Sequence, residues 1–371
     1  MVLFIRDNEC HEPRVTNYLK YFKNNGIDYK VIAWNRSGTA VPDDHFVFLE
    51  RRAEYGKRIA NIPNKLIWMF FVIKEIIKNR KEYKVIHACD IDAILPALII
   101  GKILRKTIVF DIFDWISSLN GKGIVYKIVD ALQNSAYKRS DYVIICEEER
   151  KEQAHTKCKK LLVLPNIPSS QIVYDKQTEE TIKSDRNKYR LILSYVGVFD
   201  RDRGLENLLE CMTELPDIKL NIAGFGVISD LVEEYARKYD NIFCWNRVEY
   251  SVGQTILKNS DLMAAMYHTT SPLHKFAAPN KYYESLMLQV PLITTQDTLV
   301  GDKVKKFDTG FVLDESKESL LNLLKDKETK SLSKIKADNC KTVWENVYCN
   351  YFNSFMQSEY AEILSKGEKR K

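Results

Sequence analysis

Short apolar runs alternate with segments whose apolar residues recur at helical spacing, beginning at the first residue. "MVLFI" (1–5) predicts a buried strand, and "VTNYLKYFKNNG" (15–26) predicts a helix with Gly26 as its natural stop. "YKVIAW" (29–34), "YKVIHAC" (83–89), "KTIVFDIF" (106–113), "SDYVIIC" (140–146) and "KLLVLPN" (160–166) predict further strands with helices between them. Residues 64–80, "NKLIWMFFVIKEIIKNR", form the longest helix pattern of this half. Such a β-α-β-α order implies a mostly parallel sheet covered on both faces.

Residues 168–188, "PSSQIVYDKQTEETIKSDRNK", are polar and interrupt the rhythm, which predicts an interdomain linker with at most one surface helix. The alternation then restarts. Strands are expected at 190–197, 218–226, 241–246, 261–266 and 290–295, and helices at 204–215, 229–239 (with Ser229 as N-cap) and 280–289. Residues 336–365 are helical, with Val343, Val347, Phe352 and Phe355 at apolar positions. The expected division is a first α/β domain over 1–167, a linker over 168–188, a second α/β domain over 189–345 and a terminal helix with a basic tail over 346–371. Two doubly wound domains of this kind are expected to face each other across a cleft, with ligands beyond the C-terminal strand ends.

Length agrees with two domains, since 371 residues is roughly twice the usual single-domain size. The net charge of +6 is uneven: residues 1–166 hold 28 Lys/Arg against 20 Asp/Glu, or +8, and the remainder 28 against 30, or −2. The basic half points to an anionic partner. Residues 57–84 concentrate it, with eight Lys/Arg and two Glu around "LIWMFFVIKEII". A basic, aromatic-rich amphipathic helix can lie on an anionic membrane surface; the alternative is a core helix whose charges are solvated. The basic tail "KGEKRK" (366–371) would add weak attraction or simply be disordered. A nucleic-acid role is disfavoured, because the basic residues are not arranged along a reading element. The longest apolar run, Leu66 to Ile73, is far short of the roughly 20 residues a span requires. Arg6, Asp7 and Glu9 break any secretory leader pattern. Eight scattered Cys without a C-x-x-C read as reduced core thiols of a cytoplasmic protein, at most peripheral on the inner face of a membrane.

Three stretches carry chemistry. In "YVGVFDRDRGLENLLE" (195–210) a strand ends at Gly197, a polar loop holds Arg201 and Arg203, and a helix starts at Gly204. Helix N-termini and arginine forks both suit phosphate oxygens, so this is a diphosphate clamp or else a solvated loop. In "NIAGFGV" (221–227), Gly224 and Gly226 permit a tight turn and a close ligand approach, although the full dinucleotide fingerprint is absent. In "HKFAAPNKYYESLMLQVPLITT" (274–295), Pro279 and Asn280 start a helix with Lys281 in its first turn and Glu284 one turn on. The helix dipole disfavours a cation there, so Lys281 suggests an anionic ligand and Glu284 a partner for paired hydroxyls; a solvated Lys/Glu face is the alternative. His87 in "VIHACD" reads as a core histidine, and His268 and His274 lie just before and at the start of the third stretch.

Taken in order, these stretches resemble the retaining nucleotide-sugar glycosyltransferases of family 4, which have the GT-B fold. The similarity runs through "EPRVTNYLKYFKNNGIDYKVIAW", "VIHACDIDAILPALIIGKILRKTIVFDIFD", "VLPNIP", "GVFDRDRGLENLLE", "NIAGFGVISDLVEEY" and "APNKYYESLMLQVPLITT". The resemblance implies two Rossmann-like domains facing across a cleft, with C-terminal helices packing back toward the first. It places Arg203 on the donor diphosphate and Glu284 on the ribose, with Gly197, Arg201, Gly224, Gly226, Lys275 and Asn280 at the donor site. It makes Lys281 and Asp114 catalytic, and puts Arg14 and His87 on the acceptor side. Departures are Phe276 where the first signature glutamate stands, Val198 where an arginine is usual, and Phe113 at the inner-loop histidine; "HKFAAPNK" is similar to a subgroup with a modified signature. The implied activity is transfer of a hexose from a nucleotide sugar to a saccharide or lipid-linked acceptor in surface polysaccharide or glycolipid synthesis, with no metal or other cofactor. No carboxylate pair at nucleophile spacing is visible, so double displacement is not supported. A nucleotide-sugar 2-epimerase on the same fold and a catalytically degenerate partner subunit are the alternatives.

Overall fold

The computed structural model describes residues 1–41, 43–53, 61–115, 123–168 and 174–369. Residues 57–60 of the basic stretch, the loop 116–122, linker residues 169–173 and the last two residues of the tail lie outside the described residues. The chain divides into two compact units, 1–166 with 352–371, and 167–351.

The first unit is built on a seven-stranded parallel sheet of order β3-β2-β1-β4-β5-β6-β7. Its strands are β1 (Val2–Arg6), β2 (Tyr29–Asn35), β3 (Phe46–Glu50), β4 (Val85–Cys89), β5 (Thr107–Ile112), β6 (Tyr142–Ile145) and β7 (Leu161–Val163). The central strands are continuous apolar runs because helices cover both faces. Strand alternation sends Leu3, Ile5, Ile86, Ile108 and Phe110 to one face. There they meet Trp68, Val72 and Ile76 of α2 (Ile62–Lys78), Ala93, Ile94 and Ala97 of α3 (Ile91–Ile103), and Ala136 and Tyr137 of α4 (Ile124–Arg139). Phe4 and His87 point the other way, onto Tyr18 of α1 (Pro13–Asn24) and Tyr360. The half-buried edge strand β3 is an addition to the sequence-based expectation, which passed over its apolar run Phe46–Leu49.

The second unit carries a six-stranded parallel sheet of order β10-β9-β8-β11-β12-β13. Helix α5 (Lys176–Asp185), capped by Asp175, occupies the polar stretch expected to be linker and packs Ile182 into this unit. The elements then follow as β8 (Leu191–Phe199), α6 (Leu205–Glu214), β9 (Ile218–Gly226), α7 (Ser229–Lys238), β10 (Ile242–Asn246), α8 (Tyr250–Lys258), β11 (Leu262–Ala265) and α9 (Pro272–Lys275). Next come α10 (Asn280–Leu288), β12 (Leu292–Thr295), α11 (Leu299–Phe307), β13 (Gly310–Leu313), α12 (Lys317–Lys325) and α13 (Thr329–Val343). Ser229 is not the N-cap of α7; Ile228 holds that position, and the Ser229 hydroxyl bonds the N–H and carbonyl of Gly226 instead. After α13 the helical path contains two π-turns, Trp344–Tyr348 and Met356–Tyr360, around α14 (Tyr351–Phe355), and ends in α15 (Ala361–Lys369). The segment from Phe352 onward belongs to the first unit, where α15 packs on β4 and β5.

Candidate active site

In the second unit, a pocket of about 370 Å³ opens where β8 and β9 end. Gly197 and Val198 of β8 and Gly224 and Phe225 of β9 form one wall, while Arg247, Tyr250 and Gln254 at the start of α8, with Lys281 of α10, form the other. Gln254 is only 1% exposed, and its carboxamide oxygen has no partner among the described residues. A buried acceptor left unpaired is unfavourable unless a ligand donor meets it. Arg247 places its guanidinium 4.8 Å from the Phe225 ring centroid.

The glycines have a more local reason than ligand approach. Gly224 pairs with Gly197, and Gly226 with Phe199, across the β8–β9 ladder. A Cβ on Gly224, whose φ is +153°, would stand 1.8 Å from the Gly197 carbonyl oxygen, and one on Gly226 2.3 Å from that of Phe199. "GFG" is therefore strand rather than turn, kept bare so that two backbones can close.

Beyond β8, Gly204 adopts a left-handed φ of +65° and turns the chain into α6. Arg203 just before it makes no ion pair among the described residues; its guanidinium lies 4.8 Å over the Tyr267 ring. His268 N–H donates to the Asp202 carbonyl at 3.0 Å, and His274 Nδ1 lies 2.8 Å from the His268 carbonyl, which ties the arginine loop to the segment after β11. Burial pushes the Tyr267 hydroxyl up to about 12, with Arg203 pulling down and Glu284 pushing up, so Tyr267 sits in the fields of both. Asn280 opens α10 behind Pro279, with no side-chain cap and no acidic residue in the first turn. Lys281 forms an ion pair with Glu284, which is almost fully buried. Arg201 is not part of this cluster, because Glu206 engages it at the exposed surface. Lys275 is exposed too, its ammonium 5.5 Å over the ring of Phe276.

At the C-terminal strand ends of the first unit, Asp114 is exposed and 3.8 Å from Arg150. Its loop is held from below by Asp90, whose Oδ1 accepts from the Phe113 N–H at 2.8 Å and the Asp114 N–H at 3.2 Å. Asp90 pairs with Arg6 through its other oxygen, and burial pushes its carboxyl up to about 6 although Arg6 pulls down. Its backbone, at φ 62° and ψ 177°, lies in a region almost reserved for glycine, a strain that the surrounding structure must hold.

Arg14 and His87, expected on the acceptor side, are buried and joined instead. Arg14 donates to Asp111 at 2.6 Å and to the Leu164 carbonyl at 2.7 Å. His87 Nε2 lies 3.2 Å from Asp111, and its Nδ1 lies 2.9 Å from the Tyr360 hydroxyl. Burial would raise the Asp111 carboxyl, but Arg14 and His87 outweigh it and hold it below the usual range; burial holds His87 below its own, so the ring is neutral at pH 7. A neutral ring that donates from Nε2 to Asp111 accepts the Tyr360 proton at Nδ1. Phe at position 360 leaves that nitrogen unpaired, and a loss of about 1–3 kcal/mol of unfolding free energy is expected in urea titration of Tyr360→Phe. His87, Cys89 and Asp111 also form the one group, among the described residues, whose donor atoms lie close enough to hold a metal ion, all within 4.8 Å. Arg14 on Asp111 and the two engaged His87 nitrogens compete with any ion there.

The family model of the glycosyl transferases group 1 matches residues 176–339. That stretch is therefore similar to the group 1 glycosyl transferases. No curated protein matches the chain. Among solved structures, Anabaena HepE in complex with UDP and glucose is similar at 14% identity, over 98% of this chain and 99% of that one, with a TM-score of 0.71. WaaG, a glycosyltransferase involved in lipopolysaccharide biosynthesis, is similar at 14% identity over 95% and 98%, with a TM-score of 0.69. Sucrose-phosphate synthase from Thermosynechococcus elongatus is similar at 15% identity over 98% and 99%, also with a TM-score of 0.69. The two parallel α/β sheets are those of the GT-B fold. The pocket, Arg203, Lys281 and Glu284 all fall inside the matched residues.

Within that stretch the pocket also uses residues that sequence reasoning passed over: Phe225, Arg247, Tyr250 and Gln254. "WNRVEYS" (245–251) contains the only local signal, a basic residue directly after a strand. Its value depends on β10 lying beside β9, which is a matter of topology. In the first unit, Asp90 and Arg6 were missed; an acid immediately after the buried "VIHAC" strand could have flagged the first.

Proposed function

We propose that this protein transfers a hexose, with retention, from a nucleoside-diphosphate sugar held by the second unit to a saccharide or lipid-linked acceptor taken at the first, in the building of a surface polysaccharide or glycolipid. The observation that carries the reading is the open pocket beyond β8 and β9, lined by Arg247, Lys281 and the Gln254 oxygen, in the same unit as Arg203, which makes no ion pair among the described residues. Phe225 and Tyr250 offer faces for a nucleobase, and the Glu284 carboxylate suits the ribose diol. As the diol engages Glu284, Lys281 is released toward the diphosphate. Arg203, Lys281 and the uncapped N-terminus of α10 then stabilise the charge that grows on the leaving diphosphate, a role that calls for no metal ion on this reading. The acceptor hydroxyl, oriented by Asp114, attacks the same face from which the diphosphate departs and gives its proton to the departing phosphate oxygen.

Thermal melting against a panel of nucleoside diphosphates and their sugars tests this. One nucleotide class is expected to raise the melting temperature; at a hundredfold excess over Kd, binding adds about 2.7 kcal/mol of stability. The shift should vanish in Glu284→Gln. NMR of the product should then show the donor's anomeric configuration. A protein that no nucleotide stabilises sinks the reading in favour of a degenerate partner subunit, and donor consumed without acceptor favours the epimerase.

A further inference from the structure

Of the residues lining the pocket of the second unit, only Gln254 has a buried side-chain atom without a partner among the described residues, its carboxamide oxygen. A Cβ on Gly253 would stand 3.2 Å from the Val196 side chain, so α8 lies close on β8 here and carries Gln254 down to 1% exposure. Its helix neighbours Ile256 and Leu257 are fully buried and apolar. A methionine or leucine at 254 would fill the same space and leave no acceptor unmet, so the polar residue is costly to the fold. The cations of the pocket wall are engaged elsewhere, Arg247 over the Phe225 ring and Lys281 on Glu284. The oxygen calls for a hydrogen-bond donor carried in by a ligand.

The surroundings of Gln254 point to which donor that is. Tyr250 and Gln254 stand one turn apart on α8 and share a side of it. Helix α8 packs on α10, and burial, reinforced by Glu284 of α10, pushes the Tyr250 hydroxyl up. Lys281, the ion partner of Glu284, lines the same pocket as Gln254. This side of α8 therefore faces the carboxylate assigned above to the ribose diol. A diol carries two O–H donors. Glu284 meets one, and the Gln254 oxygen is a second acceptor on the same side. Being neutral, the carboxamide accepts without setting another negative charge beside the diphosphate, as a second carboxylate would.

We propose that Gln254 accepts one hydroxyl of the donor's ribose while Glu284 accepts the other, which makes the site selective for ribonucleotides over deoxyribonucleotides. The inference rests on the nucleotide-sugar reading above and adds to it a demand on the ribose. Calorimetric titration of the full chain with uridine, guanosine, adenosine and cytidine diphosphates first finds the base that binds. Its 2′-deoxy and 3′-deoxy forms are then compared in wild type and in Gln254→Met. Each deoxy form is expected to bind wild type about tenfold more weakly, the scale of one hydrogen bond lost from a buried acceptor. In Gln254→Met one of the two penalties should shrink below about twofold, while the other, which belongs to Glu284, persists. The free variant should melt no lower than wild type, an outcome that a merely structural carboxamide would not give. Gln254→Leu serves as a second apolar replacement. Both penalties intact in the apolar variants overturn the inference and leave the oxygen to a water molecule. So does a wild type that binds the ribo and deoxy forms alike, or a marked fall of melting temperature in both variants, which gives the carboxamide to the fold. If no ribonucleotide binds the wild type, the nucleotide-sugar reading itself falls, and this inference with it.

Discussion

Asp111→Asn is expected to destabilise the first unit by about 3–5 kcal/mol, because it strips a buried guanidinium of its counter-charge. Arg14 is 4% exposed and would keep the Leu164 carbonyl, the Asn166 side chain and the Phe113 ring as neighbours, none of them a counter-charge. Equilibrium unfolding followed by tryptophan fluorescence checks this, since Trp34, Trp68 and Trp115 are buried in the first unit. A cost below about 1 kcal/mol would show that the network is not what holds β5 to α1. Acidification should act in the same direction on the wild type. His87 lies below its ordinary 6.5 in the folded chain, so the unfolded chain takes the proton first and stability falls as pH drops below that value. Asp111 lies below its ordinary 3.8, so the stability it adds is complete above that pH and is lost as pH falls through the folded value. In Asp111→Asn the lower of these two phases should disappear.

Arg203→Ala is expected to lower kcat/KM for sugar transfer by about two orders of magnitude, the scale of one preorganised contact to developing charge. The guanidinium is held over Tyr267 and makes no ion pair among the described residues, so its charge is available to a phosphate. Arg201→Ala serves as the matched control. Arg201 is two residues away, equally basic and already paired with Glu206, and its loss should change the rate by less than about threefold, as for an exposed ion pair. Equal losses in the two variants would refute a specific diphosphate contact for Arg203.

The contrast between these arginines shows where the sequence stops being informative. The strand–loop–helix around 195–210 is legible in "YVGVFDRDRGLENLLE", because apolar runs and a glycine mark it. Which arginine is free is not legible, since that depends on whether Glu206 or Tyr267 is within reach. The central strands read well because burial on both faces writes an apolar run; β3 carries one as well, in Phe46–Leu49, but it sits between polar segments with no helix pattern directly after it, and it was passed over. Helix α5 is the surface helix allowed for in the polar stretch 168–188, and Ile182, its only fully buried apolar residue, ties it to the second unit. Gly224 and Gly226 suggested a ligand turn, but the atoms they spare belong to the neighbouring strand, a partner the local sequence cannot name. His87 fits its core reading because alternation along β4 points it inward, while its partners lie 24 and 273 positions away.

That last separation bears on how the chain is made. A ribosome delivers residues 1–166 first, then the whole of the second unit, and only afterwards the segment from Phe352 that returns to the first. Until Tyr360 emerges, the face of the sheet carrying Phe4, Tyr18, Phe22 and His87 lacks its aromatic cover, and the His87 ring lacks one of its two partners. The nascent first unit therefore waits, incomplete and sticky, while the second finishes folding, and early termination within residues 352–359 should yield a protein whose second unit is sound and whose first aggregates.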